Sequence, residues 1–265
     1  MIRGKKLFVA FLAIFIAGLV LSVPAQTAAP NRLGRILETK VLRVGTPGDY
    51  RPFSMLNKAT GEFEGHDVDL ARLLAADLGV KVEFVQTTWS KLMDDLLADK
   101  YDIAMGGITR SLARMLLVDF LGPYAPNGKV ALIRAADKGK YTSLAAIDNP
   151  GTTVMVNPGG TNERFVLANI KNAKVVTHPA NAEIPGKVAD GLADVMITEA
   201  YEAVVYSKLD SRLYGAFIDK PLTKISYMGF MLRDDDPKYL KVMNFIWNDA
   251  KMRGDLDALF EKWLR

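Results

Sequence analysis

The chain has 265 residues, of which 49% are hydrophobic, and it contains no cysteine. This composition excludes an intrinsically disordered protein. Because there is no cysteine, it also excludes disulfides, thiolate catalysis and zinc–thiolate sites. The formal net charge is +4, and no basic block with interleaved aromatic residues is present, so we expect no nucleic-acid partner.

Residues 1–29 have the pattern of an export signal. Arg3, Lys5 and Lys6 precede the apolar run LFVAFLAIFIAGLVLSV, and small residues follow in PAQTAA. An uncleaved membrane anchor is the alternative, because the run approaches the length of a spanning helix. Its terminal position and Pro24 favour a cleaved signal. We therefore expect a periplasmic protein that has no stable membrane anchor and is closer to neutral after cleavage.

From Val41 onward, short apolar runs alternate with longer amphipathic segments, which is the pattern of α/β units. Strands are predicted for the runs VLRVGT, KVEFVQT, DIAMGG, TVMVNP and DVMIT. Helices are predicted for DVDLARLLAADLG, SKLMDDLLADK, NERFVLANIKN and PGKVADGLA. Gly79 and Gly191 are natural helix stops, and the last of these helices should begin at Pro185, where a missing amide costs little.

Two extended segments, 123–133 and 223–233, have the character of crossings between two lobes. They predict lobe 1 from residues 30–127 plus 228–265, with lobe 2, residues 128–227, inserted into it. The C-terminal run YLKVMNFIWNDAKMRGDLDALFEKWLR predicts two helices that complete lobe 1. In such a two-lobed α/β fold the ligand is expected in the cleft between the lobes.

The segment GGITRSLARM, residues 106–115, follows a predicted strand. Its glycines expose backbone groups, and Thr109 and Ser111 have hydroxyls. The planar guanidinium of Arg114 can donate two parallel hydrogen bonds to a carboxylate, so the segment predicts a carboxylate-binding clamp. The alternative is a helix capped by Ser111 with Arg114 on the surface.

The segment NPGGTNERF, residues 157–165, places two glycines between a strand and a helix. Main-chain amides, the helix N-terminus and the Thr161 hydroxyl could then bind an anion. An equally good interpretation is a plain glycine turn with Asn162 as the helix cap. Phosphate-loop motifs of the usual kinds are not present.

The segment MITEAYEA carries Glu199 and Glu202, which we predict on one face of the first turn of a helix. Acids are favoured there by the helix dipole alone, or both could face a ligand pocket. Tyr50 and Trp89 each follow a strand and could line the cleft or the core. The two histidines show no ligand spacing, so we expect no metal site.

Several motifs together resemble the periplasmic amino-acid solute-binding proteins of family 3: GHDVDLARLLAADLG, YDIAMGGIT, the following Arg114, GLADVMIT and FEKWL. The resemblance implies a type II two-lobed fold. It also implies that Gly107, Thr109 and Arg114 hold a ligand carboxylate, that the loop at Thr161 adds amides and a hydroxyl, and that Glu199 holds an amine. Glu199 stands where aspartate is more usual.

The motifs TPGDYRPFS, TTWSKLM, VNPGGTNERF and TEAYEA resemble more narrowly the cyclohexadienyl dehydratases, which are exported enzymes on this fold. The resemblance implies a carbon–oxygen lyase that needs no cofactor and converts prephenate to phenylpyruvate and arogenate to phenylalanine. In this family the acid matching Glu202 donates the proton, while Asn157 and Trp89 shape the pocket.

The alternative is a non-catalytic receptor that delivers an amino acid or related anion to an ABC transporter. Either protein would bind a small molecule on the same fold, so the fold does not separate them. The sequence leaves open the preference between prephenate and arogenate, and it is compatible with an oligomer.

Overall fold

The computed structural model describes residues 31–265, so the predicted signal peptide lies outside the described part of the chain. The strands are β1 (Val41–Thr46), β2 (Asp49–Tyr50), β3 (Ser54–Leu56), β4 (Phe63–Glu64), β5 (Lys81–Gln86), β6 (Ile103–Ala104), β7 (Asp119–Leu121), β8 (Pro126–Asn127), β9 (Lys129–Arg134), β10 (Thr153–Val156), β11 (Lys174–Thr177), β12 (Val195–Glu199), β13 (Leu213–Ala216), β14 (Ser226–Tyr227) and β15 (Phe230–Leu232).

The helices are α1 (Arg32–Thr39), α2 (His66–Asp77), α3 (Leu92–Leu97), α4 (Leu112–Met115), α5 (Leu144–Ile147), α6 (Thr161–Asn169), α7 (Ile184–Ala189), α8 (Ala200–Leu209), α9 (Pro237–Arg253) and α10 (Asp255–Leu264). Short 3₁₀ helices lie at Ala135–Asp137 and Asn181–Glu183. Each predicted strand and helix is present. Helix α7 begins at Ile184, one residue before the predicted start at Pro185.

The first sheet has five strands in the order β5-β1-β6-β15-β7. Strand β1 runs parallel to β5 and β6, whereas β15, which comes from the end of the chain, is antiparallel to its neighbours. Helices α2 and α9 pack against this sheet through buried apolar side chains, among them Leu74, Met243 and Trp247. The predicted C-terminal helices therefore complete the lobe that the N-terminal half begins.

The second sheet also has five strands, in the order β11-β10-β12-β9-β13. Strand β12 lies parallel to β10 and antiparallel to β9, so residues 153–156 and 129–134 flank it on both sides. All five residues of β12 are buried, because apolar side chains cover both faces of the sheet. This central strand ends at Glu199.

The two crossing segments pair with each other. Strand β8 lies antiparallel to β14, with Asn127 opposite Ser226 and Pro126 opposite Tyr227. The chain leaves the first sheet through one strand of this ribbon and returns through the other. The lobe boundaries at 127/128 and 227/228 stay a prediction, although the ribbon lies at both of them.

Aromatic side chains join the two sheet units beside the cleft. Tyr201, at the start of α8, packs edge-on against Phe53, with ring centroids 5.6 Å apart, and lies 6.3 Å from Phe260 of α10. Tyr201 lies between Glu199 and Glu202, so this contact brings both acids to the interface. Within residues 31–265, no helix is both long enough and apolar enough to cross a membrane.

Candidate active site

A pocket lies between the two sheet units. It is lined by Tyr50, Trp89, Gly107, Thr109, Arg114, Asn157, Gly160, Thr161, Asn162, Asn181 and Glu199. Every predicted substrate-binding residue is in this set. The cavity measures about 20 Å³, which is room for about one water molecule. The cleft is therefore closed, and a ligand with a six-membered ring requires it to widen.

Arg114 lies inside the pocket wall rather than on the surface. Its side chain is buried, and its Nη1 donates to the Thr109 carbonyl oxygen over 2.7 Å. The Ser111 hydroxyl accepts from the Arg114 amide over 3.3 Å, so the predicted cap is present, but the surface arginine of that alternative is wrong. Burial lowers the pKa of Arg114 to about 10, which still leaves it a cation at neutral pH.

The glycine turn before Arg114 is fixed from behind by a carboxylate. Asp67 Oδ2 accepts from the Gly106 and Gly107 amides over 2.8 and 2.6 Å. The Gly107 amide is thus occupied. Gly107 has a φ of +74°, and a Cβ there would lie 2.4 Å from the Tyr50 ring, so only glycine fits. Gly107 therefore lets the backbone lie close to the Tyr50 ring in the pocket wall, and its amide is not free to bind a ligand.

The second glycine turn precedes helix α6 on the opposite wall. Gly159 has a φ of +89°, and a Cβ there would lie 2.4 Å from the Ser90 backbone, so glycine lets the two units approach. Gly160 is the N-cap residue of α6. The alternative in which Asn162 caps this helix is wrong, because Asn162 lies within the helix and its side chain turns to Glu199.

The prediction that Glu199 and Glu202 share one helical turn is wrong. Glu199 ends β12 and is the N-cap residue of α8 with extended backbone angles, whereas Glu202 lies in the first turn of α8. Their side chains therefore point to different neighbours. The strand continues one residue further than the pattern indicates because Glu199 pairs with Lys129 of β9.

The Glu199 carboxylate is surrounded by donors. Tyr50 donates to Oε2 over 2.6 Å and Asn162 Nδ2 donates to the same oxygen over 3.2 Å. Lys129 forms an ion pair with Oε1, and the Thr109 hydroxyl lies 3.4 Å from it. Burial alone would raise the pKa of Glu199, but Lys129 and these hydrogen bonds outweigh it, so the pKa is lowered and Glu199 is ionised.

Lys129 was missed by the sequence analysis. Its side chain is buried, and its Nζ donates to Thr161 Oγ1 over 2.7 Å and to Asn162 Oδ1 over 2.6 Å, in addition to Glu199. Burial lowers its pKa and Glu199 acts in the opposite direction. The only local signal was a lysine at the start of the otherwise apolar run KVALI. Strand pairing makes it a partner of Glu199.

The environment of Glu202 shifts its pKa in the direction opposite to that of Glu199. Glu202 is fully buried, Asn181 Nδ2 donates to its Oε1 over 2.7 Å, and the Thr198 hydroxyl is hydrogen-bonded to its Oε2. Burial raises the pKa of Glu202 well above its ordinary value, and the nearby charge of Glu199 adds to this. Glu202 does not line the pocket itself. It lies directly behind Asn181, which does.

Asn181 connects Glu202 to the other side of the cleft. Its Nδ2 also donates to the Asp49 carbonyl oxygen over 3.1 Å, and its amide lies 3.3 Å from Asp49 Oδ2. Asp49 in turn accepts from Trp89 Nε1 over 2.8 Å. Within residues 31–265, Asn181 Oδ1 is buried without a partner. Asp49 lies in the TPGDYRPFS motif without a role assigned to it, and Asn181 lies outside the quoted motifs, so sequence reasoning missed both.

The histidines do not line this pocket. His66 is buried beside Asp67, with 2.7 Å between Nδ1 and Oδ1, and His178 Nε2 lies 2.8 Å from Glu183 Oε2. In the described chain, from residue 31 to the end, no group of three or more His, Asp or Glu side chains could hold a metal ion.

Comparisons with known proteins place this site in context. Residues 42–265 match the model of the bacterial extracellular solute-binding proteins, family 3. Cyclohexadienyl dehydratase from Pseudomonas aeruginosa is 38% identical over 92% of this chain and 90% of its own length.

Two solved structures of ancestral proteins are also similar. One is an ancestral amino acid-binding protein described as a precursor of cyclohexadienyl dehydratase, with a TM-score of 0.82, 36% identity, and coverage of 89% of this chain and all of the other. The second is an ancestral cyclohexadienyl dehydratase, with a TM-score of 0.54, 46% identity, and coverage of 89% and 98%. These matches confirm the predicted type II two-lobed α/β fold. The chain belongs to the bacterial extracellular solute-binding proteins of family 3.

Proposed function

We propose that this protein is a periplasmic cyclohexadienyl dehydratase, a carbon–oxygen lyase that converts prephenate to phenylpyruvate and arogenate to phenylalanine. The observation that carries the proposal is Glu202, a fully buried acid next to the pocket whose pKa is raised well above its ordinary value. A ligand receptor needs no such proton donor. The 38% identity to a cyclohexadienyl dehydratase supports the same function.

The substrate carries a ring carboxylate, a side-chain carboxylate and a ring hydroxyl on the opposite carbon. We assign carboxylate binding to Arg114, together with the hydroxyls of Thr109 and Thr161, because all three line the pocket. Orientation in such a clamp aligns the hydroxyl with the proton donor and contributes to the rate by fixing the reacting geometry.

The chemical step needs one proton. The bond between the ring and its carboxylate breaks and releases carbon dioxide, and its electron pair enters the ring. The bond between the ring and the hydroxyl oxygen breaks at the same time, and that oxygen takes the proton of Glu202 and leaves as water. The ring becomes aromatic, which drives the reaction, and Glu202 is left as a carboxylate that solvent reprotonates.

Asn181 and Thr198 act as positioning residues for Glu202. Each of them is hydrogen-bonded to one of the two Glu202 carboxyl oxygens. Asn181 Nδ2 donates to Glu202 and to the Asp49 carbonyl oxygen, so Asn181 Oδ1 is the atom left for another partner. We assign Oδ1 to accept from the departing hydroxyl. When the cleft widens around the substrate, a small rotation of Asn181 would expose the Glu202 carboxyl to that hydroxyl.

The test is to incubate the purified mature protein with prephenate and to follow phenylpyruvate by its absorbance. Heat-inactivated protein gives the spontaneous background. We expect turnover far above that background. The rival function is a receptor for an amino acid or a related anion, which the amino-acid binders among the structural neighbours favour. No turnover together with tight binding of an ordinary amino acid would establish the receptor.

A further inference from the structure

The resemblance to amino-acid receptors implies that Glu199 holds the amine of a ligand. In the closed cleft, groups of the protein itself already occupy both of its carboxylate oxygens. One carboxylate oxygen is bonded to Tyr50 and Asn162, and the other is paired with Lys129. The protein itself therefore supplies the cation that a ligand ammonium would supply in a receptor.

Lys129 cannot easily give way to a ligand. Its ammonium donates to Glu199, Thr161 and Asn162, so each of its three protons has an acceptor. Lys129 is 6% exposed and lies within the buried strand β9, opposite Glu199 in the strand register. An incoming ammonium would have to displace Lys129 from Glu199 and would then lie beside a second buried cation.

We propose that the ion pair of Lys129 with Glu199 makes this pocket select 2-keto acids over 2-amino acids. The identity of the substrates rests on the proposed function: of its two substrates, prephenate is the keto acid and arogenate the amino acid. Prephenate is then the preferred substrate.

The charge balance of the pocket points the same way. Around Glu199, Arg114 and Lys129 contribute two positive charges against the one negative charge of Glu199 itself, which leaves a positive excess at this end of the pocket. The keto diacid brings two carboxylates and no cation, whereas the amino diacid adds an ammonium to the positive side. Like charges placed together at a binding site are a common basis for rejecting a ligand.

The first experiment measures binding without turnover. Titration calorimetry compares phenylpyruvate with L-phenylalanine, which differ only in the keto or ammonium group beside the carboxylate. Phenyllactate, which has a neutral hydroxyl at that position, serves as the control. We expect phenylpyruvate and phenyllactate to bind the wild type at least about tenfold more tightly than L-phenylalanine. Equal or tighter binding of L-phenylalanine overturns the proposal.

The second experiment removes the internal cation. In Lys129→Met, and in Lys129→Gln in case the first variant does not fold, Glu199 is released for a ligand ammonium. The keto-to-amino affinity ratio should fall at least about tenfold, whereas Lys208→Met, which alters an exposed lysine of α8, should leave it unchanged. A ratio that stays constant in the Lys129 variants overturns the proposal, and if neither variant folds, the wild-type binding ratio decides.

Turnover separates this inference from the proposed function. The ratio of kcat/KM for prephenate and arogenate should favour prephenate by a similar factor. Comparable kcat/KM values for both substrates leave the dehydratase function intact and overturn the selectivity. Keto-acid selectivity in binding without turnover of either substrate supports the inference and refutes the dehydratase.

Discussion

Glu199 and Glu202 are three residues apart, and both are buried, yet their pKa values are shifted in opposite directions. Glu199 ends a strand among hydrogen-bond donors and a lysine, so its pKa is lowered, whereas Glu202 begins a helix behind the pocket wall and its pKa is raised. Desolvation acts on both in the same direction. The difference therefore comes from their neighbours, above all from Lys129, which reaches only one of them.

The comparison shows how a binding site can hold a proton donor beside a permanent anion. If both acids were ionised, each would destabilise the other in the closed cleft. Lys129 neutralises Glu199, and burial keeps Glu202 protonated, so the two roles are separated within one short segment.

Replacing Glu202 removes the proposed proton donor. Glu202→Gln should lower kcat for prephenate by about 10²- to 10⁴-fold, because a general acid contributes that much to a rate. Steady-state kinetics measures this, and the affinity for phenylpyruvate should change little because the clamp is untouched. Glu38→Gln, an exposed position of α1, is the matched control. Equal activity of Glu202→Gln and the wild type would refute the general-acid assignment.

Replacing Lys129 leaves Glu199 as a buried, unpaired anion. Lys129→Met should lower the free energy of unfolding by about 3–5 kcal/mol, as is typical when one partner of a buried ion pair is removed. Urea denaturation at neutral pH measures it. The double variant Lys129→Met/Glu199→Gln should recover part of the loss. Arg212→Met, which breaks an exposed ion pair with Asp190, should have little effect.

Replacing Asn181 should disturb Glu202 without removing it. Asn181→Ala loses one hydrogen bond to the Glu202 carboxyl group and the proposed Oδ1 acceptor for the departing hydroxyl, so kcat should fall at least about tenfold. That hydrogen bond lowers the Glu202 pKa, so its loss should also move the high-pH limb of the kcat profile to higher pH. A purely structural defect would not shift that limb. Asn169→Ala, at an exposed position of α6, should leave both rate and profile unchanged.

The two acids should couple stability to pH with opposite signs. The folded protein keeps Glu202 protonated where the unfolded chain ionises it, so the wild type should lose stability relative to Glu202→Gln as pH rises above the ordinary glutamate range. Glu199 is ionised in the folded state, so the wild type should lose stability relative to Glu199→Gln as pH falls below that range. Each slope is at most about 1.4 kcal/mol per pH unit, read from urea denaturation across pH. Slopes of the same sign for both variants would contradict the separation.

Local patterns in the sequence were sufficient for the strands and helices, whereas for the pocket wall they left alternatives that the resemblance to known families narrowed. Hydrophobic periodicity and glycine stops identified the strands and helices, with α7 displaced by a single residue. The pocket residues Thr109 and Arg114 follow a strand in a glycine turn, which is a local signal. The position of Glu199 was wrong by one element because its place in β12 depends on pairing with Lys129 of another strand.

Periodicity and turn chemistry act over a few neighbouring residues, so the sequence was enough to predict the export pattern, the α/β units and the glycine turns that carry Thr109 and Thr161. The physical cause of the two opposite pKa shifts lies in tertiary contacts. Lys129 lies 70 residues before Glu199 and reaches it through strand pairing, and Asn181 meets Glu202 only after the lobes fold. A charge state depends on the neighbours of a group in space, and in this protein those neighbours come from distant parts of the chain.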